Sequence, residues 1–533
     1  MNTVISKTKS CSPSFWMFWL ITVSVTILSL SQGHWNKPDK IFHDDINHYY
    51  AYLPATLIYH DIKLDFLNTN MQEFSKHFWP MQSPSGKRVL VTTMGLSLMY
   101  APFFIIIHYP LSWMGYDATG YTAPYQFAII LGALFYFIVG IHLLRRILER
   151  YFSQAATAIT LFTIVMATNL LYYVLDEPGM SHVFNFALIT AFVYFTLRWI
   201  EKPGFLYSLI LGLLAGLISL IRPTNIIIVL IIPFWGITSW QDWFNRLLLL
   251  VKRFYLVLLM MFAAVLVWTP QMLYWKEVTG HYLYFSYGDK GKFFFNNPQI
   301  INTLFSYRKG WLVYTPVITF AFAGLYFLWR KQRSLFFAII IFLFINIWVI
   351  SSWWLWWYGG SLGLRAYIDS YALVALPLAA FISWAWEKRN LLVKSLTVAL
   401  VLIFSAHNFF MIEQYRVGTI DYISMTKEAY WESFGKLKKT DRFIHLLSYP
   451  DYKLAEQGIY PKPVIDPLYA GKLTRKEGIE IIRKQISSSP EMMDLVRKKA
   501  AQQGVTADEM LMKDATYVYD LKVQEGTIRP SDE

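Results

Sequence analysis

The chain has 533 residues, of which 55% are hydrophobic and only 16% charged. A soluble domain is about a quarter charged, so this composition excludes a water-soluble globular enzyme and asks for a bilayer. The formal charge is +13, but the tail from about Met411 is nearly balanced, so the excess sits among apolar runs. There it marks cytoplasmic loops rather than a nucleic-acid surface.

Cys11 is the only cysteine, which rules out an intrachain disulfide and any Cys-based metal or redox pair. The first apolar run, Phe15 to Leu30, follows Lys7 and Lys9 and lacks a clean small-x-small cleavage site. It reads as a retained signal anchor rather than a cleaved peptide.

A spanning helix needs about 20 mostly apolar residues. Twelve runs qualify, near 14–31, 91–113, 125–144, 155–175, 182–199, 204–221, 225–240, 254–272, 312–329, 334–351, 370–387 and 391–411. From Arg145 onward, basic clusters fall in every second loop: Arg145-Arg146 with Arg150, Arg198 with Lys202, Arg246 with Lys252-Arg253, Arg330-Lys331 with Arg333, and Lys388-Arg389. The positive-inside rule puts these in the cytoplasm, together with Lys7 and Lys9. Two crossings between Lys9 and Arg145 satisfy that rule; three do not. The run 91–113, interrupted by Thr92, Thr93, Ser97, Pro102, His108 and Pro110, is therefore expected to lie in the interface. The expected fold class is an all-α polytopic membrane protein of about 11 transmembrane helices. Juxtamembrane helices fill a first outer loop of about 32–124. A membrane domain of 1–411 is followed by a mostly helical, periplasmic domain of 412–533. In that tail, Thr474 with Glu477 and Thr506 with Glu509 read as capping boxes, and Ser489-Pro490 as an N-cap with a first-turn proline.

The outer loops carry the chemistry. His43-Asp44-Asp45 stands just past the first run, followed by Tyr49, Asp61, Asp65 and Lys87-Arg88. Adjacent acids suit a helix first turn; they also suit a general base at the membrane surface. Asp176-Glu177-Pro178, with Ser181 and His182, is either a polar helix end or a second acidic wall. Arg222, in a tight turn, either snorkels to headgroups or meets a lipid-linked phosphate. The loop 273–311 holds Lys276, Glu277, His281, Asp289, Lys290, Lys292, Arg308 and Lys309, cations that suit an anionic partner. In 353–365, Trp353, Trp354, Trp356 and Trp357 form an aromatic belt. That belt does not explain the glycines that lead to Arg365, a residue suited to phosphate.

These residues resemble the GT-C glycosyltransferases of the protein O-mannosyltransferase and aminoarabinose-transferase-like group over about 35–411. Asp45-Ile46-Asn47-His48-Tyr49 is similar to the acidic motif that opens the family's first outer loop, with Ile46 where an acid is usual. Asp44-Asp45 is the alternative register. Asp176 or Glu177 is similar to its second outer acid, and Gly359-Gly360-Ser361-Leu362-Gly363-Leu364-Arg365 to a glycine-rich, Arg-terminated stretch of bacterial members. The resemblance implies inverting sugar transfer from a polyprenyl-phosphate donor to a protein, glycan or lipid acceptor, on the non-cytoplasmic face of a bacterial inner membrane. Asp45, with Asp44 beside it, is the implied base. Tyr49, Lys87, Arg88, Asp176, Glu177, His182, Arg222, Lys292, Trp357 and Arg365 are the expected substrate contacts. No cofactor is expected; a divalent metal is possible for the family but not indicated. A transporter or flippase of lipid-linked sugar is the rival class. Such proteins usually carry mid-bilayer ionisable groups and paired repeats.

Overall fold

The computed structural model describes residues 12–69, 76–83, 85–288, 291–388, 390–471 and 473–531. Lys7, Lys9, Cys11, Asp289, Lys290 and Arg389 lie outside them. The described residues are mainly helical, with almost no sheet; Met81–Gln82 pairs with Arg88–Val89 in a small antiparallel hairpin.

Among the described residues, eight helices are long and apolar enough to cross a membrane, and the helices Gln154–Met166, Phe205–Ile221 and Pro223–Phe234 are apolar but shorter. They are helices because a bilayer leaves backbone N–H and C=O groups no other partner than one another. Their charges gather at two ends. At the basic end, Ser14 Oγ donates to Glu149 Oε1 at 2.6 Å, Arg145 Nε to the same oxygen at 2.9 Å, and Gln332 Nε2 to Tyr151 O at 3.3 Å. Arg150–Glu201 and Lys331–Glu387 close the same rim. The opposite end carries Asp45, Asp176, His182, Arg222 and Arg365.

The first helix, Pro13–Ser31, starts at the basic end and finishes at the other, where His34 meets Asp176. Helix Ala123–Leu148 begins beside it there: Gln126 accepts from Ile41 N at 2.9 Å and donates to Trp35 O at 3.2 Å. Helix Gly95–Trp113 lies between these two in sequence and qualifies as a span by length and composition. Yet both its ends sit at the Asp45 end. Met94 N donates to Gln271 Oε1 at 2.7 Å, Gly95 abuts Leu220 and Ile221, and His108 Nδ1 is 2.7 Å from Tyr125 OH. A helix with both ends at one face lies along that face.

Two expected runs are less regular than their hydropathy implies. Run 155–175 breaks between Met166 and Leu170, and Asn408 Nδ2 donates to the freed carbonyls of Met166 and Thr168 at 3.0 and 2.8 Å. Run 225–240 becomes a 3-10 helix, Pro223–Leu230, and a single turn, Ile231–Phe234. Pro233 and the left-handed Gly236 prevent its continuation. Close packing comes from small residues: a Cβ at Gly324 would lie 1.8 Å from Pro377 O, so helices Ile318–Lys331 and Tyr371–Glu387 touch backbone to backbone.

In the tail, both capping boxes form, at Thr474/Glu477 and Thr506/Glu509, and Ser489 caps a helix that opens on Pro490. The stretch 412–470 is packed against the Asp45 end rather than held apart from it: Ser361 N donates to Tyr422 O at 3.2 Å, and buried Lys309 donates to Ser361 O and Tyr422 O.

Candidate active site

His43 is extended and opens helix Asp44–Tyr50, placing both acids in its first turn. Asp44 takes a left-handed φ of +40°, which a residue other than glycine adopts only at a cost. This turn sends the neighbours apart. Asp45 Oδ2 accepts from Arg365 Nη2 at 2.9 Å, while Asp44 lies 89% exposed on the rim, 3.4 Å from His43 Nδ1. The Arg365 approach is set by its glycine loop, where Gly359 and Gly363 have φ of +69° and +63°. A Cβ on Gly363 would lie 2.9 Å from that of Tyr314.

Asp45 and Arg365 line a cavity of about 510 Å³ with His43, Asp44, Glu177 and the rings of Tyr172, Tyr173 and Tyr415. Tyr422, Tyr449 and Tyr452 of the tail supply the rest of an aromatic wall. Tyr49 follows one helical turn after Asp45, within electrostatic reach of Asp45, Arg222 and Arg365. A second cavity of about 580 Å³, holding His34, Lys37, Lys40, Asp176 and Arg416, shares Tyr172, Glu177 and Tyr415 with the first.

The acids at this end have distinct surroundings. Asp176 is 5% exposed and held by a two-point Arg416 pair, at 2.9 and 2.7 Å. Burial opposes its charge, but His34 and Arg416 outweigh it and hold the carboxyl below its ordinary value. Glu177 Oε2 lies 3.3 Å from His43 Nε2. Asp369, absent from the sequence-based set, is 3% exposed. It accepts from His182 Nδ1 at 2.8 Å, Asn225 Nδ2 at 2.7 Å and Asn185 Nδ2 at 3.2 Å, with Arg222 Nη1 3.6 Å away. Asp45, at 45% exposure, is the one acid among these that both faces the cavity and is fixed by Arg365.

Hydrogen bonds to Asp44 and Glu177 raise the His43 imidazole to about 9. The same bond to His43 lowers Asp44. His43 is thus charged at neutral pH, and its raised value gives stability that is complete below its ordinary value and lost as pH rises through about 9. The Asp44 contribution is lost at the acid side, as pH falls through the carboxylate range. Thermal unfolding of the wild type and His43→Gln across pH should therefore show a gap in Tm that is widest between the carboxylate range and the ordinary imidazole value, narrows above it and closes above about 9. A gap that persists at pH 10 contradicts it.

Other expected contacts lie elsewhere. Lys87 and Arg88 stand on the hairpin, where Lys87 Nζ donates to Glu277 O at 3.2 Å and Arg88 to Leu64 O and Asn68 Oδ1, each at 2.8 Å. They pin the loop and do not line the Asp45 cavity. Lys292 is exposed beside Trp353-Trp354, its carbonyl bound by Trp354 N at 3.0 Å. Trp357 is buried against Tyr452. Asp369 had one sequence signal, a carboxylate opening an apolar run; the pairing of Asn185 and Asn225 with it had none.

No protein-family profile and no curated protein sequence matches the chain. Eight solved chains match by structure. One is the crystal structure of ArnT from Cupriavidus metallidurans bound to undecaprenyl phosphate. It is 11% identical, with a TM-score of 0.47, over 96% of this chain and 76% of that one.

Proposed function

We propose that the chain is a membrane glycosyltransferase that moves a sugar from a polyprenyl-phosphate donor to an acceptor hydroxyl at the Asp45 end. The observation that carries this reading is the half-exposed Asp45 carboxylate, fixed by Arg365 in a tyrosine-walled cavity at the membrane-helix ends. A cavity that sets the Asp45 carboxylate beside the Arg365 guanidinium suits removal of a hydroxyl proton beside a departing phosphate.

In this reading the acceptor oxygen attacks the anomeric carbon from the side opposite the phosphate. The carbon–oxygen bond to phosphate breaks and the anomeric centre inverts. Asp45 takes the hydroxyl proton, and the lipid monophosphate leaves. Arg365 and Arg222 meet the charge that gathers on it, so the scheme requires no metal. Donor phosphate competes for Arg365, which releases an Asp45 oxygen to accept the acceptor's hydrogen. Asp176, tied to Arg416, holds the first loop to the last membrane helix rather than touching substrate. Tyr172, Tyr173 and Tyr415 offer ring faces to the sugars.

The full chain, purified and reconstituted in vesicles with a radiolabelled polyprenyl-phosphate sugar and an extract of acceptor from a deletion strain, should yield labelled acceptor and free lipid phosphate. Movement of intact donor across the bilayer with no label transferred makes the protein a flippase instead.

A further inference from the structure

Arg308 is 7% exposed and makes no close ion pair among the described residues, its nearest acidic influence being Asp421, which acts on it through space. A guanidinium has five N–H donors. Two bind carbonyls, Ile423 O at 2.6 Å and Ser448 O at 3.0 Å, and the face of the group lies 5.9 Å from the Trp357 ring. Burial lowers its affinity for the proton to about 10. Buried charges are normally paired, because an unpaired one has lost its hydration without a partner to offset the loss. Arg308 lines two adjoining cavities, of about 630 and 310 Å³, that meet under the segment 462–464. Exposed Lys427 and Lys462 edge the larger one.

The smaller cavity reaches the Asp45 cavity at Tyr449, which lines both. Its walls carry the rings of Trp356, Trp357 and Tyr460 beside Asn302 and Asp451. Ring faces next to hydrogen-bonding groups suit a sugar chain. An acyl chain would meet Arg308, Lys462 and Asp451 there. An extended peptide would lack a strand edge, since the hairpin lies elsewhere.

We infer that this groove binds an acidic saccharide acceptor, Arg308 receiving its carboxylate or phosphate while the neighbouring sugar passes Tyr449 to Asp45. The inference rests on the transferase reading above. Arg308 also pins the tail, through the carbonyls of Ile423 and Ser448, to the loop that precedes helix Ile318–Lys331, so binding there orders the aromatic wall of the Asp45 cavity.

The test places photo-reactive p-benzoylphenylalanine at Lys462 of the full chain in cells that make the protein natively. Adducts are digested and read by mass spectrometry. The expected adduct is a saccharide containing a uronate or a phosphosugar, and the fragment masses tell the two apart. Its yield should fall about tenfold in Arg308→Gln, the weight of one charge-assisted hydrogen bond. Lys427→Glu, at an exposed site with no fold to break, should lower it by a similar factor. A peptide, an acyl lipid, a neutral glycan or no adduct overturns the inference, as does an acidic adduct indifferent to Lys427→Glu. Adding Asp45→Asn separates this result from the catalytic reading. An acidic adduct whose mass is identical with and without Asp45→Asn keeps the groove and removes the transferase.

Discussion

Asp45→Asn is expected to lower sugar transfer about 10²–10⁴-fold, the usual contribution of a positioned general base. The amide keeps the size and one oxygen for Arg365, so expression and donor binding should stay near wild type. The loss then falls on kcat, because the missing function is acceptance of a proton during bond formation. Asp44→Asn provides the contrast. Its carboxylate lies on the rim and points to His43, so transfer should drop only a few fold, with most of the change in pH behaviour. Single-turnover transfer from labelled donor separates chemistry from product release. If Asp44→Asn is the inactive variant and Asp45→Asn transfers normally, the two carboxylates exchange roles and the Arg365 pair is structural.

Much of this arrangement is written locally in the sequence, and what is missing is long-range. Apolar runs and alternating lysine and arginine place the helix ends, because hydrophobic length and charge are local properties. Capping boxes at Thr474 and Thr506 are equally local: four residues contain donor and acceptor. The glycines before Arg365 announce a left-handed loop for the same reason. In contrast, the Arg416–Asp176 pair joins residues 240 apart, and nothing near either position specifies the other. The charges of Lys87 and Arg88 are local, whereas the carbonyls they bond in the fold, Glu277 O and Leu64 O, are set by tertiary packing. The tail misleads in a similar way. Its residues are polar and well capped, as an appendage would be, but Tyr422, Tyr449 and Tyr452 close the cavity that Asp45 opens. Run 91–113 shows hydropathy at its limit: the same composition serves a crossing or an in-plane helix, and only the neighbours at both its ends tell them apart.

The largest stability effect should follow from Asp369→Ala. This carboxylate accepts from His182, Asn185 and Asn225 and faces Arg222, all at the Asp45 end of the membrane helices. Removing it strands a largely buried guanidinium and three donors, and breaking a buried ion pair of this kind costs about 3–5 kcal/mol. Thermal unfolding in detergent should show a lower midpoint, and expression should fall with it. Removing both charges distinguishes burial from catalysis. In Asp369→Leu with Arg222→Met, no charge is left unpaired, so the part of the loss due to the stranded guanidinium should return, while His182, Asn185 and Asn225 remain without their acceptor. Transfer should not return, because Arg222 is then missing where negative charge collects on the leaving phosphate. Recovery of both stability and transfer in the double variant would make the cluster purely structural and leave Arg365 alone to meet the phosphate. An unchanged midpoint in Asp369→Ala would mean that water reaches Arg222 and that the cluster is not the buried hinge of the site its geometry describes.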